Sequence, residues 1–344
     1  MCDNRGSERA GNPPLRGLQP GKGRGNQNGI ALLIVLWVLM ILMVTALSFS
    51  VMTRAETYGL LAFKEGMETK FLAEAGISRG ILEIIYRSIN QNQAVILAGR
   101  EAWRLDGTPY NIDMGNGGCR VRVIDEGGKI SLNGLTDASA IVLKNLLVNQ
   151  GVSPGNADII ADSVLDWKDT DDLHRLNGAE SDYYMTLPNP YRARNADFET
   201  VEELIMVRGI TPEILYGNGT SQGILPFLTA YSKAGQININ AAPKEVLAAL
   251  PGMNPAMVER LVEFRRLMEI KGVDEVKDII GDSYPLMAPY ASFAPGAGVT
   301  AFSVEATGYK GNRKGGYAVL ATVIFDNPHQ YRYLYYKSPA EIMP

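Results

Sequence analysis

Carboxylates crowd one stretch of this chain: Asp166-Trp167-Lys168-Asp169-Thr170-Asp171-Asp172, followed by Asn177-Gly178-Ala179-Glu180-Ser181-Asp182-Tyr183-Tyr184. Like charges held this close repel unless a counter-charge sits among them, and hard carboxylate oxygens favour a hard cation. On residue types alone, a solvated acidic loop is the alternative. The spacing is not that of an EF-hand. Counted from Asp169, Asp171 falls at the third position and Glu180 at the twelfth, but Leu173 and His174 stand where an oxygen ligand and a glycine are required.

Other chemistry finds little support. The histidines are His174 and His329, in no metal-binding spacing. No nucleophile motif surrounds a serine or Cys119, and an isolated thiol in an apolar strand reads as packing. The basic, glycine-rich run Gly308-Tyr309-Lys310-Gly311-Asn312-Arg313-Lys314-Gly315-Gly316 is followed by a strand pattern instead of a helix, so it reads as a hairpin turn and not a phosphate cradle. The net charge of −4 gives no general reason to expect a nucleic-acid partner.

The elements that must position the carboxylates are tethered. From Ile30 to Ser50 the chain carries no charge, proline or glycine. As a helix rising about 1.5 Å per residue, such a run matches a hydrocarbon core of roughly 30 Å. Before it, Arg5, Arg9, Arg16, Lys22 and Arg24 face only Asp3 and Glu8 in a Gly- and Pro-containing segment, a positive flank expected to stay cytoplasmic while the long C-terminal part crosses. A secretory signal places small residues after its apolar run, whereas here Gly29 stands directly before it.

That order resembles the leader of prepilins and pseudopilins, which a prepilin peptidase cuts after the glycine; the cut would fall between Gly29 and Ile30. Most of that superfamily has glutamate at the fifth mature residue, here Ile34. With Ile30 through Trp37, Thr53-Arg54-Ala55-Glu56 and Phe71-Leu72-Ala73-Glu74-Ala75-Gly76-Ile77, the chain resembles the minor pseudopilin K family of type II secretion systems. The resemblance implies an α+β fold: a pilin-like long N-terminal helix and antiparallel sheet, with a large all-α, SAM-like or helix-hairpin-helix-like domain inserted between strands. It implies structural calcium at the acidic loop, with Asp166, Asp169, Asp171, Glu180 and Asp182 as candidate ligands, and methylation. It further implies a non-enzymatic, single-pass inner-membrane protein, mostly periplasmic, that caps the pseudopilus tip and helps initiate assembly. Its partners would be the I- and J-type minor pseudopilins and the major pseudopilin. A type IV minor pilin is the nearest alternative.

The chain beyond the span reads compatibly. Phe71, Ala75, Ser78, Leu82, Ile85 and Ile89 recur at helical spacing, with Ile77, Ile81 and Ile84 beside them, marking an apolar face. Strands are expected at Tyr110 to Met114, Cys119 to Asp125, Ala301 to Thr307, Tyr317 to Phe325 and Tyr331 to Tyr336. The expected divisions are a leader at 1–29, a span at 30–50, pilin-like parts at 51–130 and 291–344, and an insertion at 131–290. Helical patterns fill the insertion at Ala138 to Asn149, Gly155 to Trp167, Thr200 to Val207, Pro212 to Tyr216, Pro243 to Leu250, Pro255 to Met268 and Gly272 to Ile280. Val201 to Pro212 echoes Lys244 to Pro255, each glycine ending one helix and each proline opening the next. Gly128-Lys129-Ile130-Ser131-Leu132-Asn133 and Gly235-Gln236-Ile237-Asn238-Ile239-Asn240 read as paired extended entries. Helix-hairpin-helix units often bind DNA, but residues 131–290 hold thirteen Lys and Arg against twenty-two Asp and Glu, the wrong sign for phosphate contact.

Overall fold

A computed structural model describes residues 27–90, 96–97, 100–101, 103–219, 221–293, 300–311, 316–327 and 330–341. Most of the expected leader, His329 and residues 312–315 of the basic loop lie outside the described residues. The chain divides into two units, Met1–Phe63 and Lys64–Pro344. Helix α1 runs over Gln27–Ile89, so the expected scission after Gly29 falls in its first turn.

In the first unit the large apolar side chains of α1, from Ile30 through Phe63, are exposed, and the run is long and apolar enough to cross a membrane. Its threonine hydroxyls are satisfied within the helix: Thr45 Oγ1 donates to Leu42 O and Thr53 Oγ1 to Phe49 O, each at 2.9 Å. A spanning segment needs this internal pairing, because lipid offers none.

The second unit is built on a five-stranded sheet. After the short hairpin β1 (Ile96–Leu97) and β2 (Arg100–Glu101) come β3 (Asp106–Met114) and β4 (Gly117–Asp125), joined by a turn in which Gly115 takes φ +70°. The sheet is completed far along the chain by β11 (Thr300–Lys310), β12 (Tyr317–Asn327) and β13 (Gln330–Lys337), in the order β13-β12-β11-β4-β3, every neighbour antiparallel. All five expected strands are present. β11 and β12, on either side of the basic glycine-rich segment, pair antiparallel.

The α1 face on this sheet is only part of the expected one. Ala73, Ile77, Ile81 and Ile84 are buried against Cys119, Val121, Val123, Val304, Ala306 and Val319, whereas Phe71, Leu82 and Ile89 are more than half exposed, at 58, 58 and 53%. Ala75 and Ser78 are exposed too, so of the expected apolar set Ile77, Ile81, Ile84 and Ile85 face the sheet. The reason is close approach. A Cβ on Gly80 would lie 2.6 Å from Val304 Cγ1, and one on Gly76 2.9 Å from Ala306 Cβ. The glycines let the backbone settle on the strands, a preference that outweighs the larger side chains one step around the helix.

Between β4 and β11 lies the inserted domain, around one continuous core. Its first half contains β5 (Ile130–Ser131), α2 (Ala140–Asn149), α3 (Pro154–Lys168), α4 (Ser181–Tyr184), a 3-10 stretch at Val201–Met206, α5 (Pro212–Tyr216), the hairpin β6 (Gly217–Asn218) and β7 (Ser221–Gln222), and β8 (Leu228–Thr229). The second half contains β9 (Ile237–Asn238), α6 (Lys244–Ala249), α7 (Pro255–Leu267), α8 (Val273–Ile280), α9 (Tyr284–Met287) and β10 (Ala291–Ser292). Each half is closed by its own first and last strands in parallel, β5 with β8 and β9 with β10. The paired extended entries are therefore real strands.

The internal echo is threefold. Gly151-Val152-Ser153-Pro154, Gly209-Ile210-Thr211-Pro212 and Gly252-Met253-Asn254-Pro255 each place a glycine at φ between +82° and +91°. In each, the Ser, Thr or Asn side chain caps the helix that its proline opens. By element order the third copy corresponds to the first, not to the second as the sequence echo suggests. Both join the two helices that follow an entry strand.

Candidate metal centre

Helix α3 carries the first two carboxylates. Ser153 caps its N-terminus and Pro154 opens it, and it ends where Asp169 N donates to Leu165 O at 3.2 Å. Asp166 and Asp169, three residues apart across this end, share one side of the helix. Asp166 is fully buried at 0% exposure. The chain then loops back so that the Gly178 backbone lies against the Asp166 carboxylate, in space a Cβ would fill. Arg208 holds the loop there, its Nη1 donating to Gly178 O at 3.0 Å and its guanidinium lying over the Tyr183 ring at 4.7 Å.

Glu180 occupies the position just before α4 but caps nothing, which frees its side chain to turn inward. It is 1% exposed. One oxygen each of Asp166, Asp169 and Glu180 lie within 4.8 Å of one another. Oxygens sharing a calcium ion at about 2.3–2.6 Å can stand this far apart. Both Glu180 oxygens and Asp169 Oδ1 are buried and accept no hydrogen bond among the described residues. A buried carboxylate with no donor is costly unless a cation or a proton supplies what is missing. The donor set, all carboxylate oxygen, suits a hard divalent ion.

The structure does not group the other two candidates with these three. Asp171 is exposed and its Oδ1 accepts from Leu173 N at 2.8 Å. Asp182, 71% exposed at its side chain, faces His174, with Oδ2 and Nε2 3.1 Å apart. Sequence reasoning did not single out Arg175 and Asp137. Arg175 Nη1 donates to Asp166 Oδ1 and to Asp169 Oδ2, each at 2.7 Å, and its Nε donates to Asp137 Oδ1 at 2.7 Å. A lone arginine inside the densest acidic run was the available signal.

Electrostatics follow this geometry. Burial first, then the negative charge of Asp166 and Asp169, pushes the Glu180 carboxyl up to about 7. Burial also raises Asp166, against the hydrogen bonds from Arg175. The Arg175 hydrogen bond holds Asp137 below its usual range. An aromatic wall backs the site: Trp167 meets Tyr184 edge-on at 5.1 Å, Tyr184 stacks on Tyr191 at 5.2 Å, and Trp167 Nε1 donates to Glu203 Oε1 at 2.9 Å.

Residues 128–233, which include every one of these carboxylates, match the family described as type II secretion system (T2SS), protein K. A type II secretion system protein K of Pseudomonas aeruginosa is 27% identical over 256 residues, covering 70% of this chain and 73% of that relative. One from Klebsiella pneumoniae is 29% identical over 268 residues, covering 71% and 75%. The fold is similar to a chain in the crystal structure of the GspK-GspI-GspJ complex from the enterotoxigenic Escherichia coli type 2 secretion system, with a TM-score of 0.56 at 17% identity, covering 83% of this chain and 100% of that one. The matched module, the relatives that span most of both chains and the shared fold agree: the chain is similar to the type II secretion system protein K family.

Proposed function

We propose that this minor pseudopilin is the tip subunit of its pseudopilus, anchored through α1 in the inner membrane before assembly and bearing a calcium-braced cap. The observation that carries the tip reading is where the insertion leaves the sheet. It departs after Asp125 and returns at Thr300, with Asp125 paired to Phe302 beyond Val304, on which Gly80 lies, while the opposite end, at Gly308, lies on Thr69 and Ala73. A cap of this size at the end of the head nearest the C-terminus of α1 would collide with any subunit stacked above it and meets only solvent at the tip. Ile34 supports the same reading. It cannot neutralise the terminal amine of a neighbour, as a glutamate at the fifth mature position is thought to do.

On this reading a prepilin peptidase cuts after Gly29, the N-terminus is cytoplasmic beforehand, and the bulk of the chain is periplasmic. The partners are I- and J-type minor pseudopilins and the major pseudopilin. The complex in which the similar solved chain occurs supports that partnership. The work is assembly and not catalysis. Cys119 is fully buried and burial pushes its thiol up to about 11, which disfavours the thiolate a nucleophile needs. At the acidic site, Asp166, Asp169 and Glu180 would hold calcium, which would supply the charge that the orphaned Glu180 and Asp169 oxygens lack.

Labelled protein should appear once per filament, at the end distal to the membrane. Replacing residues 131–290 by a short linker should relax that restriction. Label spread along the shaft would reject the tip reading.

A further inference from the structure

The candidate cation site already contains a positive charge. Arg175 Nη1 sits between Asp166 Oδ1 and Asp169 Oδ2, 2.7 Å from each, on oxygens through which an ion could bridge the two carboxylates. The guanidinium cannot be discharged, so an ion on those same oxygens would meet a full positive charge at close range. Glu180 draws nothing from Arg175, since both its oxygens lack a donor. The arginine has somewhere to go. Its Nε and Nη2 already reach Asp137 Oδ1 and Oδ2, at 2.7 and 3.4 Å, and Asp137 lies outside the three-carboxylate group with a side chain 77% exposed.

We propose that Arg175 is a resident counter-ion that a divalent cation displaces: on binding, Nη1 leaves Asp166 and Asp169 while the guanidinium stays on Asp137. The inference rests on the reading of this site as a cation site and adds how it is regulated. Before the cation arrives, the single positive charge of the guanidinium offsets part of the negative charge of Asp166 and Asp169 and keeps the loop folded. Its removal from them is part of every binding event, which weakens the apparent affinity. The device sets a threshold, so that the site stays arginine-filled at low calcium and switches as calcium rises.

The test uses the full chain in detergent, calcium as probe, calorimetry for Kd and melting with and without excess chelator. Arg175→Met, which keeps most of the aliphatic stem, should bind calcium at least about tenfold more tightly than the wild type, equivalent to about 1.4 kcal/mol. Its melting temperature should fall in chelator and match the wild type in calcium. Arg175→Lys, whose single ammonium cannot span the three acids as the fork does, should tighten binding by less and serves if the methionine variant does not fold. Calcium binding by the wild type with an unchanged or weaker Kd in both variants overturns the exchange while leaving the cation reading intact. So does a calcium-loaded structure in which Arg175 still bridges Asp166 and Asp169. Binding by neither wild type nor variants overturns both.

Discussion

Asn133 and Asn240 make the same three hydrogen bonds in the two halves of the inserted domain. Asn133 Nδ2 donates to Phe198 O and Ala230 O at 3.0 and 2.8 Å, and its Oδ1 accepts from Phe198 N at 2.8 Å. Asn240 Nδ2 donates to Ile270 O and Phe293 O, each at 2.8 Å, and its Oδ1 accepts from Ile270 N at 3.0 Å. Each asparagine thus ties its entry strand to the segment before a later helical stretch, Val201–Met206 or α8, and to the residues after the exit strand. A glutamate follows suit in each half: Glu203 Oε2 accepts from Glu199 N at 3.1 Å and Glu275 Oε2 from Lys271 N at 2.6 Å. Two modules of one plan, side by side, account for these matches.

Replacing either asparagine by alanine should therefore cost a similar amount. Each change removes three bonds and strands backbone groups, so about 2–4 kcal/mol is expected per site. Denaturant unfolding of the two single variants measures this. A large loss at one site and none at the other would break the correspondence.

Helix glycines should separate by what lies over them. Gly80→Leu drives a side chain into Val304 and should destabilise by about 1–3 kcal/mol or more, despite leucine's better helix propensity. Gly66→Ala, with nothing within 4 Å, should be neutral or stabilise by up to about 1 kcal/mol. Thermal melting of the pair distinguishes packing from propensity.

Stability should depend on pH through Asp125, which sits where the sheet meets the inserted domain. Its Oδ2 accepts from Asn238 Nδ2 and its Oδ1 from Gly127 N, both at 2.8 Å, yet burial raises the carboxyl from 3.8 to about 6. The folded state binds this proton more tightly than the unfolded state does. The contribution is therefore fully present below the unfolded value and is lost as pH rises through about 6. Asp125→Asn should flatten the fall in stability over that window, seen by comparing melting curves of the variant and wild type in chelator at a series of pH values.

The carboxylates should split into two groups. Glu180→Gln should abolish the rise in melting temperature that calcium brings, whereas Asp182→Asn, at an exposed side chain outside the cluster, should retain it. For scale, an ion at a hundred times its Kd stabilises by about 2.7 kcal/mol. A variant at Asp182 that loses the shift would move the site away from the buried cluster.

What the sequence made legible was local. Strand alternation and the Gly-x-Ser/Thr/Asn-Pro turns mark elements through their own backbone and capping chemistry, so the sheet strands and helical hairpins could be read directly. Asp166, Asp169 and Glu180 were legible as members of an acidic run, but their separation from Asp171 and Asp182 depends on where Gly178 lets the loop turn. The α1 face was legible at Ile77, Ile81 and Ile84 but drawn too wide, because side-chain size favours Phe71 and Leu82 while contact with the sheet is decided by Gly76 and Gly80. Asp137 reaches the site only through Arg175, from a different part of the chain, and no local pattern reports that.

The pairing of Asp125 with Phe302 also sets an order of events. Strand β4 emerges early in synthesis, but its partner β11 follows only after the whole insertion. Until then one edge of β4 offers unpaired backbone groups, the kind of template that recruits stray strands. Each half of the insertion is closed by its own pair of strands, β5 with β8 and β9 with β10, and so can condense before β11 arrives. Once condensed, it holds its two ends near each other and removes most of the entropy that closing so long a loop would otherwise cost. The insertion thus acts as a folding clamp for the sheet that carries it, and mutations that slow its condensation should lengthen the time β4 spends exposed.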